Sequence, residues 1–230
     1  MYPKTHVAVV LFLKMKDLYY GNGKNEQEDR VTEIFKEAGF IQSKKTDFPK
    51  NGIRSYMDWI KADCFLLIPE GTFVKAYFGE NQHPDYISRE GNRLFWWECK
   101  SSKDSTAIQF NTTLPHKGII FIITMADKTV LALGEWLIKE EEKDRFQPFI
   151  EGMKDIVKLI PKDVPCWGAR PRNFFHMNSS KKLVFNGYGD ECSETIIKIM
   201  TGETYNEPVK LDDFKSLREQ ENSLVQFFRD

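Results

Sequence analysis

The chain is poor in cysteine, in net charge and in long apolar runs. Its four cysteines, Cys64, Cys99, Cys166 and Cys192, stand far apart with no Cys-x-x-Cys spacing. That argues against a thiolate zinc cage or a disulfide framework and fits a reducing cytoplasm. The 33 basic and 34 acidic side chains leave a net charge of −1, so any nucleic-acid contact must come from a local basic surface rather than from overall charge. No stretch is long enough to span a bilayer. The apolar opening from Val7 to Leu13 is too short, lacks a small-residue cleavage site and runs into Lys14 and Lys16. It reads as a strand or helix rather than a signal peptide. There is no Walker-type loop and no G-x-G-x-x-G, so no nucleotide cofactor is expected. A G-x-S-x-G elbow is also missing. The four histidines, His6, His83, His116 and His176, show no metal-ligand spacing. His83 and His116 flank the charged segment described below and could serve it in a secondary role, although a satisfied surface position is the plainer expectation. No internal repeat is present.

What is there is a substantial core. With 230 residues, 41% hydrophobic and 13% aromatic, the chain suits a single domain. Lys24 to Ala38 predicts an amphipathic helix with Val31, Ile34, Phe35 and Ala38 on one face and Gly39 as its stop. Tyr56 to Ile60 reads as a short helix and Cys64 to Ile68 as an apolar strand. Thr72 to Phe78, Gly118 to Thr124 and Thr129 to Leu133 read as further strands. From Glu135 to about Ile160 the pattern is helical and highly charged, with Gln147-Pro148 expected to break it into two helices. The tail from Leu211 has helical apolar spacing and is net acidic.

The most informative segment is Pro84-Asp85 through Glu98-Cys99-Lys100. Gly91-Asn92 predicts a two-residue hairpin turn, because glycine readily takes the positive φ such turns need. Glu90 then lies opposite Arg93, and counting outward sets Asp85 opposite Glu98. Strand side chains alternate faces, so Lys100 shares the face of Glu98. Opposed residues sit about 5 Å apart at Cβ, and two carboxylates there repel unless something neutralises them. A divalent cation would do so, leaving the lysine to face a phosphate. The plainer reading is a surface hairpin with incidental charges. Against it, Phe95, Trp96 and Trp97 predict a largely buried second strand, at whose end bare charges are costly.

Pro84-Asp85, a spacer and Glu98-Cys99-Lys100 resemble the signature of the PD-(D/E)XK nuclease superfamily. After Lys100 come Ser101, Ser102 and Lys103, then Phe110-Asn111, Pro115 and a core strand. This order is similar to that of many type II restriction endonucleases. The resemblance implies an α/β fold, with a central mixed sheet that contains the catalytic hairpin and is flanked by helices. It implies Asp85, Glu98, Lys100 and a helix glutamate as catalytic groups. Glu28 is the first choice for that glutamate, with Glu26 and Glu33 competing, and a solvated acidic helix start explains it equally well. Asp85, Glu98 and the Cys99 carbonyl would hold Mg2+. The Cys99 side chain is expected to point into the core. The core of the fold is expected over about 24–133, with 134–230 as helical and DNA-recognition elaboration of one domain.

Contacts to DNA are expected from Ser101, Ser102, Lys103, Gln109 and Asn111, and from Arg170, Arg172 and Asn173. Trp167 to Lys182 holds four Arg or Lys residues and no acidic ones, with aromatics interleaved. Arginine reads guanine and the amides of Gln109 and Asn111 suit adenine, although turn formation is an equal use for such residues. The expected function is Mg2+-dependent, site-specific cleavage of double-stranded DNA to leave 5′-phosphate ends, by a homodimer in the cytoplasm of a bacterial or archaeal cell. The motif occurs once, so two chains are needed to cut a duplex. Two alternatives stand beside it. One is a repair or structure-selective nuclease of the same superfamily, and the other a DNA-binding protein without catalysis, in which the hairpin charges form a salt-bridge network.

Overall fold

A computed structural model describes residues 3–15, 24–44, 68–78, 83–91, 93–101, 107–110, 114–125, 129–160 and 173–176. Ser102, Lys103, Asn111, Arg170 and Arg172 lie outside these residues, as do the helix expected at 56–60, most of the strand at 64–68 and the tail from Leu211. The order of elements begins α1 (Lys4–Leu13), α2 (Lys24–Glu37), β1 (Ile41–Ser43), β2 (Thr72–Lys75), β3 (Tyr86–Glu90) and β4 (Arg93–Ser101). It continues β5 (Ala107–Phe110), β6 (Ile119–Thr124), β7 (Thr129–Leu133), α3 (Gly134–Leu137), α4 (Glu140–Lys158) and β8 (Asn173–His176). The architecture is α/β: an open six-stranded mixed sheet, β1-β2-β3-β4-β6-β7, flanked by helices. β4 is the pivot, antiparallel to β3 on one side and parallel to β6 on the other.

The apolar patterns explain why these segments pair. β6 and β7 are continuous runs of buried residues, as expected of strands covered on both faces. α1 and α2 pack on one face of the sheet. Phe35 of α2 stacks on Phe73 at 4.9 Å and meets Tyr86 and Trp97, while Phe12 of α1 meets Trp97 at 5.4 Å. The predicted stripe of Val31, Ile34, Phe35 and Ala38 is buried. α2 ends where expected: Phe40 N donates to Phe35 O and Gly39 N to Lys36 O, with the Phe40 ring folded back edge-on to Phe35.

Two boundaries differ from expectation. β2 stops at Lys75 rather than running to Phe78, because Ala76 takes φ +50 and turns the chain out of the ladder. The long charged helix does not break at Pro148, which lies within α4. The break falls earlier, at Ile138, whose backbone is extended (φ −150, ψ 130). A proline removes one helical hydrogen bond. Here Gln147–Glu151 and Lys154–Glu151 bonds hold the following turns, and Glu142 accepts from the Lys139 backbone N–H at the start.

Candidate active site

The hairpin has the register read from its turn. Gly91 takes φ +58, and the pairs run from Glu90↔Arg93 to Tyr86↔Trp97. One step further sets Asp85 across from Glu98. Trp97 faces α1 and α2, so alternation sends Glu98 and Lys100 to the opposite face of the sheet. Lys100 Nζ donates to Glu98 Oε1 there. Asp85 Oδ2 accepts a hydrogen bond of 2.7 Å from the Cys99 backbone N–H. Cys99 itself is buried and its thiol is pushed well up by burial, with Asp85 and Glu98 adding to the effect, so it is no nucleophile.

Burial and charge divide the two carboxylates. Burial raises the Asp85 pKa to about 7, with help from the Glu98 charge; Lys100 and the Cys99 N–H only partly offset this. Burial would raise Glu98 as well, but Lys100 and His83 outweigh it and bring that group down to about 2. Burial acts to lower Lys100, but Glu98 and Asp85 prevail and raise it, so the ammonium stays charged.

His83, which immediately precedes Pro84-Asp85 in sequence and was expected at the surface, stands in the site instead. Its Nδ1 lies 2.9 Å from Glu98 Oε2. Yet that buried oxygen has no well-aligned hydrogen bond. The His116 ring lies 6.1 Å from that of His83. Burial, then Lys143 and His83, lower the His116 pKa to about 4, so it is neutral at pH 7. The two histidines stand 33 positions apart in sequence, and only the return of the chain after β5 brings His116 in. No local spacing signals such a contact.

Glu28 is drawn to the edge of this cluster. Its charge is one of the causes that raise Asp85. Its carboxylate, however, pairs with Lys75 at 3.2 Å, and Asp29 stands 3.7 Å from the same ammonium. Of its two competitors, Glu33 pairs with Arg30 on an exposed part of α2, and Glu26 opens the same helix.

The fit of a divalent cation rests on Asp85 and on Glu98 Oε2: one carboxylate that burial leaves poorly compensated, and one buried oxygen without an aligned donor. These oxygens are hard ligands of the kind Mg2+ takes. Among the described residues, no group of three or more His, Cys, Asp or Glu side chains is arranged to hold a metal ion. Any such site would therefore use two carboxylates and backbone or solvent oxygen, as the signature implies.

The segments expected to contact DNA meet in an unforeseen way. β5 and β8 form a separate two-stranded antiparallel ribbon, in which Gln109 pairs with Phe174 and Phe110 with Asn173. Gln109 is half-buried, between the buried Ile108 and Phe110. Phe110 carries Lys100 Nζ 5.7 Å above its ring and packs on Phe121. The ribbon is thus anchored beside the lysine of the site, and Ser101 ends β4 half-buried next to it. None of the described helices is long and apolar enough to cross a membrane. No protein-family model, curated protein or solved structure matches the chain.

Proposed function

We propose that this protein is a Mg2+-dependent endonuclease that hydrolyses phosphodiester bonds in double-stranded DNA, in the manner of a type II restriction enzyme. The observation that carries the reading is the placement of Asp85, Glu98 and Lys100 by one hairpin register, with Lys100 bonded to Glu98 and Asp85 left undercompensated. A cation held by the Asp85 and Glu98 carboxylates, with the Cys99 carbonyl as a third ligand, would neutralise charge on the phosphate.

Each side chain has a distinct task in this reading. Glu98 is ionised at neutral pH and fixes the Lys100 ammonium. Lys100 remains protonated, so it acts as a hydrogen-bond donor to a phosphate oxygen and stabilises charge there, rather than as a base. Asp85, with its pKa near 7, is the group most able to exchange a proton at neutral pH before a cation is bound. Glu28 acts on the site through its charge, which helps to raise Asp85, while its carboxylate is held by Lys75.

Recognition falls to the β5–β8 ribbon, since a two-stranded ribbon fits the major groove of B-DNA. Gln109 and Asn173 stand on it, Ser101 ends β4 beside it, and Ser102, Lys103, Asn111, Arg170 and Arg172 lie near its strands in sequence. A homodimer then supplies the second site that cutting both strands requires.

One observation favours the non-catalytic reading, in which the chain binds DNA and its hairpin charges are structural. Lys100 and His83 both stand against Glu98, and Lys75 against Glu28, as in an ion-pair network. The two readings separate on a gel. Long DNA incubated with the protein and Mg2+ is expected to give discrete fragments, absent with EDTA. Asp85→Ala and Lys100→Ala should each lose at least about 100-fold in cleavage rate, the scale of one electrostatic group in such a site, while DNA binding persists in a mobility shift. A Mg2+-dependent smear keeps the nuclease and removes site specificity. Intact DNA with retained binding moves the assignment to the non-catalytic reading.

A further inference from the structure

The first turn of α2 touches both strands of the candidate site through consecutive residues. Gln27 is buried, 2% exposed, a rare position for a glutamine unless its amide is satisfied. Its Nε2 stands 3.0 Å from Lys100 O, 3.0 Å from Thr124 Oγ1 and 3.3 Å from Ile122 O. Two amide hydrogens are shared among three acceptors, on the parallel strands β4 and β6. The next residue, Glu28, accepts with its backbone carbonyl from the Tyr86 hydroxyl at 2.6 Å. Tyr86 follows Asp85 directly in sequence. The helix therefore grips β4 at Lys100 and β3 beside Asp85.

We infer that Gln27 is a positioning residue for Lys100, fixing its backbone so that the ammonium is aimed at the reacting phosphate. Core packing alone does not call for such an amide. Leucine or methionine would fill the space, and would leave Lys100 O, Ile122 O and Thr124 Oγ1 without this donor. Glutamine is the residue whose length and paired hydrogens reach all three from α2. The donor acts on a carbonyl only one residue beyond the Cys99 N–H that holds Asp85. A sub-ångström drift of β4 there would move Lys100 relative to both carboxylates, and catalytic geometry tolerates little such drift.

This rests on the endonuclease reading, so the test has one readout that needs no cleavage. Gln27→Met keeps the volume and removes the donor; Gln27→Ala is the second variant in case methionine packs poorly. Limiting acetylation of lysines in the full chain, read by mass spectrometry, should show Lys100 reacting several-fold faster in the Met variant, with the exposed Lys158 unchanged as internal reference. Where wild type cleaves DNA, the variant should lose about 10- to 100-fold in kcat with KM within about 2-fold, as for a misplaced group that acts in the transition state. Unchanged Lys100 reactivity in both variants overturns the inference, as does a general rise in lysine labelling with unchanged kcat. If wild type cuts no DNA, the endonuclease reading falls and the labelling result alone decides whether Gln27 positions Lys100.

Discussion

Asp85 puts a carboxylate where charge is disfavoured, and this gives it a measurable effect on stability. Its pKa rises from 3.8 to about 7, through burial first and Glu98 second. Between those values the folded chain binds more protons than the unfolded one, so this group lowers stability as pH rises from about 4 to about 7. A tenfold change in a group's acidity on folding corresponds to about 1.4 kcal/mol. Asp85→Asn keeps an acceptor for the Cys99 N–H and removes the titration. Chemical denaturation should therefore find the variant more stable than wild type at pH 8, by on the order of a few kcal/mol, and equal to it near pH 4. His116, lowered to about 4 from 6.5, acts in the opposite sense, favouring the fold as pH rises through that window. It is present in both proteins and cancels in the difference. A constant gap at all pH values would remove Asp85 as an uncompensated acid. Saturating Mg2+ should raise wild-type stability at pH 8 and leave Asp85→Asn nearly unmoved.

At the scale of elements, the hairpin was legible and its anchors were not. The Gly91 turn gives the register, and the apolar run Phe95, Trp96 and Trp97 gives the burial of the second strand, because both depend on residues close in sequence. The same holds for β7 and for the buried stripe of α2. The partners that fix these elements come from far away. Glu90 was expected across from Arg93, and it is, but its carboxylate accepts from the Lys4 and Thr5 backbone N–H groups at 2.6 and 2.9 Å. It caps α1, where acidic groups favour the free N–H ends of a helix. The loop that carries His116 is another distant anchor. Gly118 N donates to Glu135 Oε2 at 3.0 Å, and a Cβ on Gly134 would lie 1.9 Å from the His116 carbonyl oxygen. Gly134→Ala must push the His116 loop away. A loss of about 1–3 kcal/mol is expected in thermal or urea unfolding, with a shifted His116 imidazole signal by NMR. An unaltered His116 signal would show that the loop absorbs the methyl group without leaving the site. The pairing of β5 with β8 had no local signal either, since the strands lie more than sixty positions apart.

For the whole molecule, the sequence is enough for an α/β sheet with an opposed acidic pair, because side chains along any strand point alternately to its two faces and a tight turn sets register. It does not disclose which helix end meets which strand, as Gln27 shows. The position of β4 also sets an order of assembly. Its antiparallel partner is reached through a two-residue turn, whereas its parallel partner β6 must wait for residues 102–118 to close a loop. Local pairs cost less chain entropy and form early. The first structure to appear thus brings Asp85 and Glu98 together before α2 has joined Gln27 to the far end of β4. Like charge then opposes the hairpin when the chain has little to hold it. Refolding followed by stopped-flow tryptophan fluorescence should be faster for Asp85→Asn than for wild type at pH 8, and the advantage should vanish near pH 4. The same two carboxylates that would capture a cation in the finished protein would, during folding, act as a brake.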